Sequence, residues 1–358
     1  VIGYYIHHQG LGHRNRATQI ARELTVPVTG FSSLERPEQW PGEWVQLPPD
    51  LAEHPVDPTA NGVLHWAPLG HEGYRERMGL MAERLRSDVE LMVTDTSAEV
   101  TLLARLMGVP TVVMAMRGDR TDRTHRAAYD AATALIAPWS RETAETYWPE
   151  EWTRKTTFTG AISRFDVPVR VPDVPGERAS DAHVSGVSAS GEGSATRGTS
   201  GSAGSDVGDK TVLVVWGRGG TAVGDEEIAA ARAATPGWTW TVRSPENPSP
   251  DLWRELHEAD VVVSHGGNNA VAELSAAHAR AVVVAQPRPH DEQAATAAAL
   301  ERAGICVGLQ HWPDAAAWPR LLARAQELGG SRWDAWRHGD GANRAACALE
   351  ELLTGNTP

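Results

Sequence analysis

The sequence predicts an α/β protein built from two doubly wound parallel sheets, and three observations predict it. Strand-length apolar runs alternate with helix-length segments, one low-complexity stretch interrupts that alternation, and glycine loops stand directly after strands. In the first half, strands are expected at Val1–Ile6, Val26–Phe31, Trp44–Leu47, Glu90–Thr94, Thr111–Met116, Ala134–Ala137 and Thr156–Thr159. Helices fall between them, notably at Asn15–Leu24, Glu72–Arg86 and Ala98–Met107. The pattern resumes with strands at Thr211–Trp216, Thr239–Arg243, Asp260–Val263, Ala281–Ala285 and Ile305–Leu309. Between the halves, Asp173–Asp209 is Ser, Gly, Ala, Asp and Val with almost no large side chains. Such a stretch buries too little apolar area to offset chain entropy and reads as a disordered linker. The expected division is a domain at 1–165, a linker at 166–210 and a second domain at 211–358. Both domains are expected to be Rossmann-like and to face each other across a cleft, and Ala342–Leu353 reads as a final helix.

Composition narrows the function. With 33 Lys and Arg against 46 Asp and Glu, the formal charge is −13, which argues against a nucleic-acid partner. Any phosphate must be held locally. No run of about 18 apolar residues is present to span a bilayer, and Val1–Ile6 reads as a strand rather than a leader. Two cysteines, Cys306 and Cys347, supply neither a disulfide framework nor a metal cluster. A soluble, cytoplasmic protein is expected.

Ligands of open parallel sheets sit at the carboxyl ends of strands, and four loops occupy such positions. His7-His8-Gln9-Gly10-Leu11-Gly12-His13 follows the first strand and opens the first helix, placing three imidazoles, which titrate near neutrality, on one turn. Thr159-Gly160-Ala161-Ile162-Ser163-Arg164 closes the first half, and Arg164 is read either as a phosphate partner in the cleft or as a solvated cation. Trp216-Gly217-Arg218-Gly219-Gly220-Thr221 can wrap a diphosphate with backbone N–H groups, a hydroxyl and a guanidinium. His265-Gly266-Gly267-Asn268-Asn269 precedes a helix over Ala270–His278, whose free N–H groups and positive dipole end suit phosphate. Glu273 lies one turn further on, where a carboxylate can accept from ribose hydroxyls. A second polar helix start, Asp291-Glu292-Gln293, follows the strand ending at Ala285. The tryptophans are expected mainly as packing anchors, with Trp216 alone placed to stack on a base or sugar.

In this order and spread over nearly the whole chain, Gly12-His13, Thr159-Gly160-x-x-x-Arg164, Gly217–Thr221, His265–Asn268 with Glu273, and Asp291–Gln293 resemble a GT-B fold glycosyltransferase of family 28. The best-known member of that family is the bacterial peptidoglycan N-acetylglucosaminyltransferase. The resemblance implies that the final helix, Ala342–Leu353, packs back on the first domain, and it implies an inverting transfer of a hexosyl or N-acetylhexosaminyl group from a UDP-sugar, the co-substrate, to a hydroxyl acceptor, without a further cofactor. It implies that Glu273 grips the ribose and that His265–Asn269, Gly217–Thr221 and Arg164 hold the diphosphate. Asp291 or Glu292, with Gln293, would bond the sugar hydroxyls, and Ala297 or a neighbour replaces an asparagine often found there. His13 matches the histidine proposed as general base in relatives. No Asp-x-Asp pair is present, so leaving-group stabilisation is assigned to helix N-termini, Arg218 and Arg164 rather than to a metal.

The acceptor is expected on the first domain. Asp119, placed to assist His13, and His125 are acceptor-side candidates in the charged loop Arg117–His125, whose other reading is a self-paired solvated surface. Asp95 is read as a site carboxylate or as a cap on the helix from Ala98. The acceptor is either a lipid-linked intermediate, reached by peripheral membrane contact, or a small natural product. Two other classes stay open: a nucleotide-sugar 2-epimerase of the same fold, and a non-catalytic nucleotide-sugar-binding subunit.

Overall fold

Parallel strands covered on both faces must be apolar on both, so they read as continuous runs whose alternate residues enter opposite cores. The computed structural model, which describes residues 1–9, 11–167, 210–217 and 222–355, shows this plainly in the first sheet. Its strands are β1 (Ile2–Ile6), β2 (Val28–Ser32), β3 (Glu43–Gln46), β4 (Leu91–Asp95), β5 (Thr111–Met114), β6 (Ala134–Ala137) and β7 (Thr156–Phe158). All pair in parallel, in the order β3-β2-β1-β4-β5-β6-β7. Tyr4, Leu91 and Val93 face one core with helix Gly12–Glu23, while Tyr5 and Met92 face the other with helices Glu72–Ser87 and Ala98–Leu106.

The second sheet comprises β8 (Lys210–Val215), β9 (Trp238–Arg243), β10 (Val261–His265), β11 (Ala281–Val284) and β12 (Val307–Leu309), ordered β12-β11-β10-β8-β9 and again parallel. Val261, Val263 and Val284 face helices Asp225–Ala234 and Trp318–Leu328; Val262 and Val283 face helices Asn268–Ala276 and Glu292–Arg302. The chain is therefore of the α/β class expected, and every expected strand is present with ends shifted by two residues at most. Helix Asn268–Ala276 starts two residues earlier than the sequence suggested, because Gly267 rather than Asn269 takes the extended cap conformation.

One hydrophobic cluster runs from Trp139, Trp148 and Trp152 on the first sheet through Trp333 and Trp336 to Val262 and Leu300 on the second. The last helix, Gly341–Leu353, returns to the first sheet and buries Ala345 and Leu349 beside Ile20. Trp318 and Trp333 are fully buried anchors. Trp216 is also buried, with its ring against Trp312, so packing rather than base stacking is its role here. No helix among the described residues is long and apolar enough to cross a membrane. Residues 168–209 of the expected linker, Gly10 and Arg218–Thr221 lie outside the described residues.

Candidate functional site

The pairing of β1 with β4 sets Ile6 level with Asp95, so the carboxylate at the end of β4 meets the helix that follows β1. His13 and Arg16 stand three apart in the first turns of that helix, a spacing that puts both on one face. Asp95 Oδ1 lies 2.9 Å from His13 Nδ1 and accepts from Arg16 at 2.6 Å. Asp95 is fully buried. Burial alone would raise its pKa, but the Arg16 and His13 charges and hydrogen bonds hold it below the ordinary carboxylate value. His7 and His8 stack on each other at 4.7 Å, and His7 packs edge-on to His13. Burial and the His13 charge push His7 down to about 3, so it is neutral and a poor base near pH 7. Of these neighbouring imidazoles, His13 is the one that Asp95 orients.

Two expectations change here. Asp95 is not the cap of helix Ala98–Leu106, since the Ser97 side chain accepts from Val100 N–H. Asp119 does not assist His13: its carboxylate accepts from the backbone N–H and hydroxyl of Thr121 and is exposed. The loop around it is not a solvated surface either. Arg117 is buried between the rings of Trp139 and Trp336, 4.6 Å from each, and pairs with Glu145; Arg120 is buried with its guanidinium on the Arg117 carbonyl.

His13 opens onto a cavity of about 770 Å³. Tyr5, Trp66, Tyr74 and Met78 give it apolar and aromatic walls, and Pro287–His290 with Glu292 close it from the second domain. The buried pair Arg77–Asp50, at 2.7 Å, and Glu99, which accepts from the N–H groups of His65 and Trp66, fix the walls. Glu292 reaches this cavity, and Asp291 is exposed. Burial raises the Glu292 carboxyl above its ordinary pKa against the pull of Arg120, 3.6 Å away. Gln293 is turned inward, its carbonyl oxygen accepting the Gln286 N–H at 3.0 Å, so it shapes the loop rather than facing a ligand. Ala297 is wholly buried. His125 lies on the cavity wall with His65 and His290, their rings 4.4 Å and 4.6 Å from its own.

The expected donor side is tighter. His265 Nδ1 accepts the Gly267 N–H, and a Cβ at either Gly217 or Gly267 would come within 2.7 Å of the ring, so both positions need glycine. Burial and the Arg288 charge lower His265 to about 4, leaving the imidazole neutral. Asn269 donates across the cleft to the Gly12 carbonyl at 3.3 Å, and Asn268 approaches Met116, so both amides contact the first domain. Gly12 and Asn268 begin two helices whose N-termini thereby face one cleft. Arg164 does not project freely: its Nε donates to Glu273 at 2.8 Å. The notch that they share with Gln19 and Asn269 has a volume of only about 10 Å³. Burial raises the Glu273 carboxyl, and Arg164 opposes the shift.

Two parallel sheets with facing strand ends are also the frame of the solved structures this one resembles. Acinetobacter baumannii MurG superposes with a TM-score of 0.61 at 12% identity, over 98% of this chain and 99% of that one. CalG4, the calicheamicin glycosyltransferase, gives 0.59 at 16% identity over 100% and 99%, and the spinosyn forosaminyltransferase SpnP gives 0.59 at 12% over 99% and 99%. This chain has the GT-B fold. Residues 249–312 match the Glycosyltransferase family 28 C-terminal domain, the stretch that carries β10, β11 and both polar helix starts. No curated protein sequence matches the chain. Within this GT-B frame, sequence reasoning missed Arg16, Asp50, Arg77 and Glu99, all buried. Arg16 alone had a readable signal, its spacing from His13.

Proposed function

We propose that this protein is an inverting glycosyltransferase that moves a hexosyl or N-acetylhexosaminyl group from a UDP-sugar to the hydroxyl of an apolar acceptor. The observation that carries the reading is the His13–Asp95–Arg16 chain at the edge of the 770 Å³ cavity. With Nδ1 committed to Asp95, His13 offers Nε2 to the acceptor hydroxyl. The hydroxyl oxygen attacks the anomeric carbon, its proton passes to Nε2, and the bond to the diphosphate breaks on the opposite face. Asp95, kept ionised by Arg16, fixes the tautomer and stabilises the imidazolium. General-base catalysis of this kind contributes about 10²- to 10⁴-fold.

The departing diphosphate gathers negative charge where the two helix N-termini converge, and fixed dipoles stabilise it without reorganisation. Arg164 adds charge when it leaves Glu273, which is then free for the ribose. Glu292 faces the transferred sugar. The aromatic lining, with Leu51 on the wall, suits a bulky apolar acceptor that carries a hydroxyl.

The test incubates the protein with nucleoside-diphosphate sugars and a panel of polycyclic, macrolide and isoprenoid alcohols, following nucleotide release and product mass. Acceptor-dependent UDP release with a β-linked product from an α-linked donor is expected. A C2-epimerised sugar formed without acceptor, or a bound sugar that never turns over, would replace this reading with an epimerase or a binding subunit.

A further inference from the structure

Where the two domains meet along the cavity wall, His65, Asp122, His125 and His290 converge. Each offers one ligand atom, and the four atoms lie within 4.8 Å of one another. Asp122 is the hub: Oδ2 contacts His125 Nδ1 and lies 3.7 Å from His290 Nδ1, while Oδ1 lies 3.5 Å from His65 Nε2. His65 Nε2 is buried with no hydrogen-bond partner among the described residues. Asp122 also accepts the backbone N–H groups of Thr124 and His125, so its roughly four lone pairs cannot serve three imidazoles as well. From these residues we propose a divalent transition-metal site, suited to zinc, that joins the two domains.

The donor set selects the ion. Imidazole nitrogen with one carboxylate oxygen fits Zn²⁺ and its Co²⁺ surrogate, whereas Mg²⁺ and Ca²⁺ require oxygen. Tetrahedral zinc, with bonds of about 2.0–2.2 Å, needs ligand atoms roughly 3.3–3.6 Å apart, so the widest pairs must contract by about 1.5 Å at most and the touching His125–Asp122 pair must open to admit the ion.

The surroundings hold three of the ligands in place. Asp122 Oδ1 caps helix Arg123–Ala131 by accepting from Thr124 and His125 N–H, leaving Oδ2 for the ion. Thr124 Oγ1 donates to the Val63 carbonyl, and Glu99 holds the His65 N–H, tying the two loops of the first domain together. His290 comes from the second domain in a left-handed conformation, φ 60°, and its carbonyl accepts the Asp119 N–H at 3.1 Å. A Cβ at Gly118 would come within 2.0 Å of that oxygen, so glycine permits the approach.

Burial lowers His125 to about 4, and His290 also lies below its usual value, so both present neutral lone pairs near pH 7. Loading moves the His125 proton from Nδ1 to Nε2. Arg120, 3.3 Å from Nε2, must then turn away, and it keeps its bonds to the Arg117 carbonyl. The ion would clamp loop Pro287–Glu292 against the first domain and set Glu292 in the cavity wall. It takes no part in the leaving-group step proposed above, and its test does not depend on that activity.

The full-length protein, stripped of metal by chelation and dialysis, is titrated with Co²⁺ and then Zn²⁺ alone. One equivalent of Co²⁺ giving the intense visible d–d bands of a tetrahedral N/O site, displaced by one equivalent of Zn²⁺, is expected. His65→Ala and His290→Ala, each shown folded by circular dichroism, should lower affinity at least tenfold, and Asp122→Asn, which keeps the helix cap, should do the same. Absence of binding, an octahedral spectrum, or binding unchanged in His290→Ala would overturn the site.

Discussion

The two sides of the cleft differ in readiness. On the first domain, a cavity of about 770 Å³ stands open with His13 already oriented by Asp95; on the second, the notch between Glu273 and Arg164 has a volume of about 10 Å³ and is shut by their own ion pair. Both are lined by ionisable groups, so polarity is not the difference. On the side assigned to the acceptor the charges are paired with partners of their own domain, Asp95 with Arg16 behind the wall and Asp50 with Arg77 in it. On the donor side the residues assigned to the ligand are paired with each other. The proposed acceptor half is therefore preorganised, while binding in the proposed donor half must exchange one ion pair for another.

The largest effect tests the preorganised half. Asp95→Asn should lower kcat by about 10²- to 10⁴-fold, as for loss of the base itself, while UDP affinity measured by calorimetry stays within a factor of two or so of the parent. The amide removes the charge that stabilises the imidazolium and leaves Arg16 buried beside a neutral partner. His13→Ala should match it in kcat, and the double variant should be no worse than either, because residues acting as a unit are not additive. Wild-type turnover in His13→Ala would detach catalysis from this cavity.

The frame was legible because its signals are local. Buried parallel strands are marked by apolar runs such as Val261–Val263 and Ala281–Val284, and the loops after them mark strand ends whatever the tertiary pairing. Pairing partners were not legible. Asp95 meets His13 because β1 lies beside β4, and Arg164 meets Glu273 because the last loop of one domain reaches the second turn of a helix in the other. Asp119, nearer the motif in appearance, had only its own turn to bind. Similarly, Asn268 and Asn269 suited a phosphate on local grounds, yet the facing domain takes their amides.

The closed half is tested next. Glu273→Ala should raise the donor KM by about 10- to 150-fold with kcat nearly unchanged, the cost of losing a hydrogen bond to a charged group. Arg164→Met separates the two duties of the arginine. Uridine, which has no phosphate, should bind the variant about 1.4- to 5-fold more tightly, since a partly exposed ion pair worth roughly 0.2–1 kcal/mol no longer has to be broken. UDP should bind more weakly. Equal changes for the two ligands would mean that the pair is not a barrier to entry.

The smallest expected effect on catalysis lies where the halves touch, at Glu292, which the second domain supplies to the cavity of the first. An amide there keeps a hydrogen bond but not the charge, so Glu292→Gln should lower kcat/KM about 2- to 10-fold. Stability should move the other way, and the sign follows from protonation. Burial raises the Glu292 pKa above the ordinary 4.5, so below pH 4.5 both folded and unfolded states hold the proton and the group has no net effect. As pH rises, the unfolded state ionises first, and the folded state loses relative stability until its own raised pKa is passed. The amide of the variant does not titrate and escapes that loss. The variant should therefore unfold at higher denaturant than the parent at about pH 8, with the gap closing towards about pH 4. A gap that widened on acidification would mean that Arg120 outweighs burial and that Glu292 is held as a stabilised carboxylate. The contact between the two halves would then be a structural ion pair rather than a ligand group kept at a cost in stability.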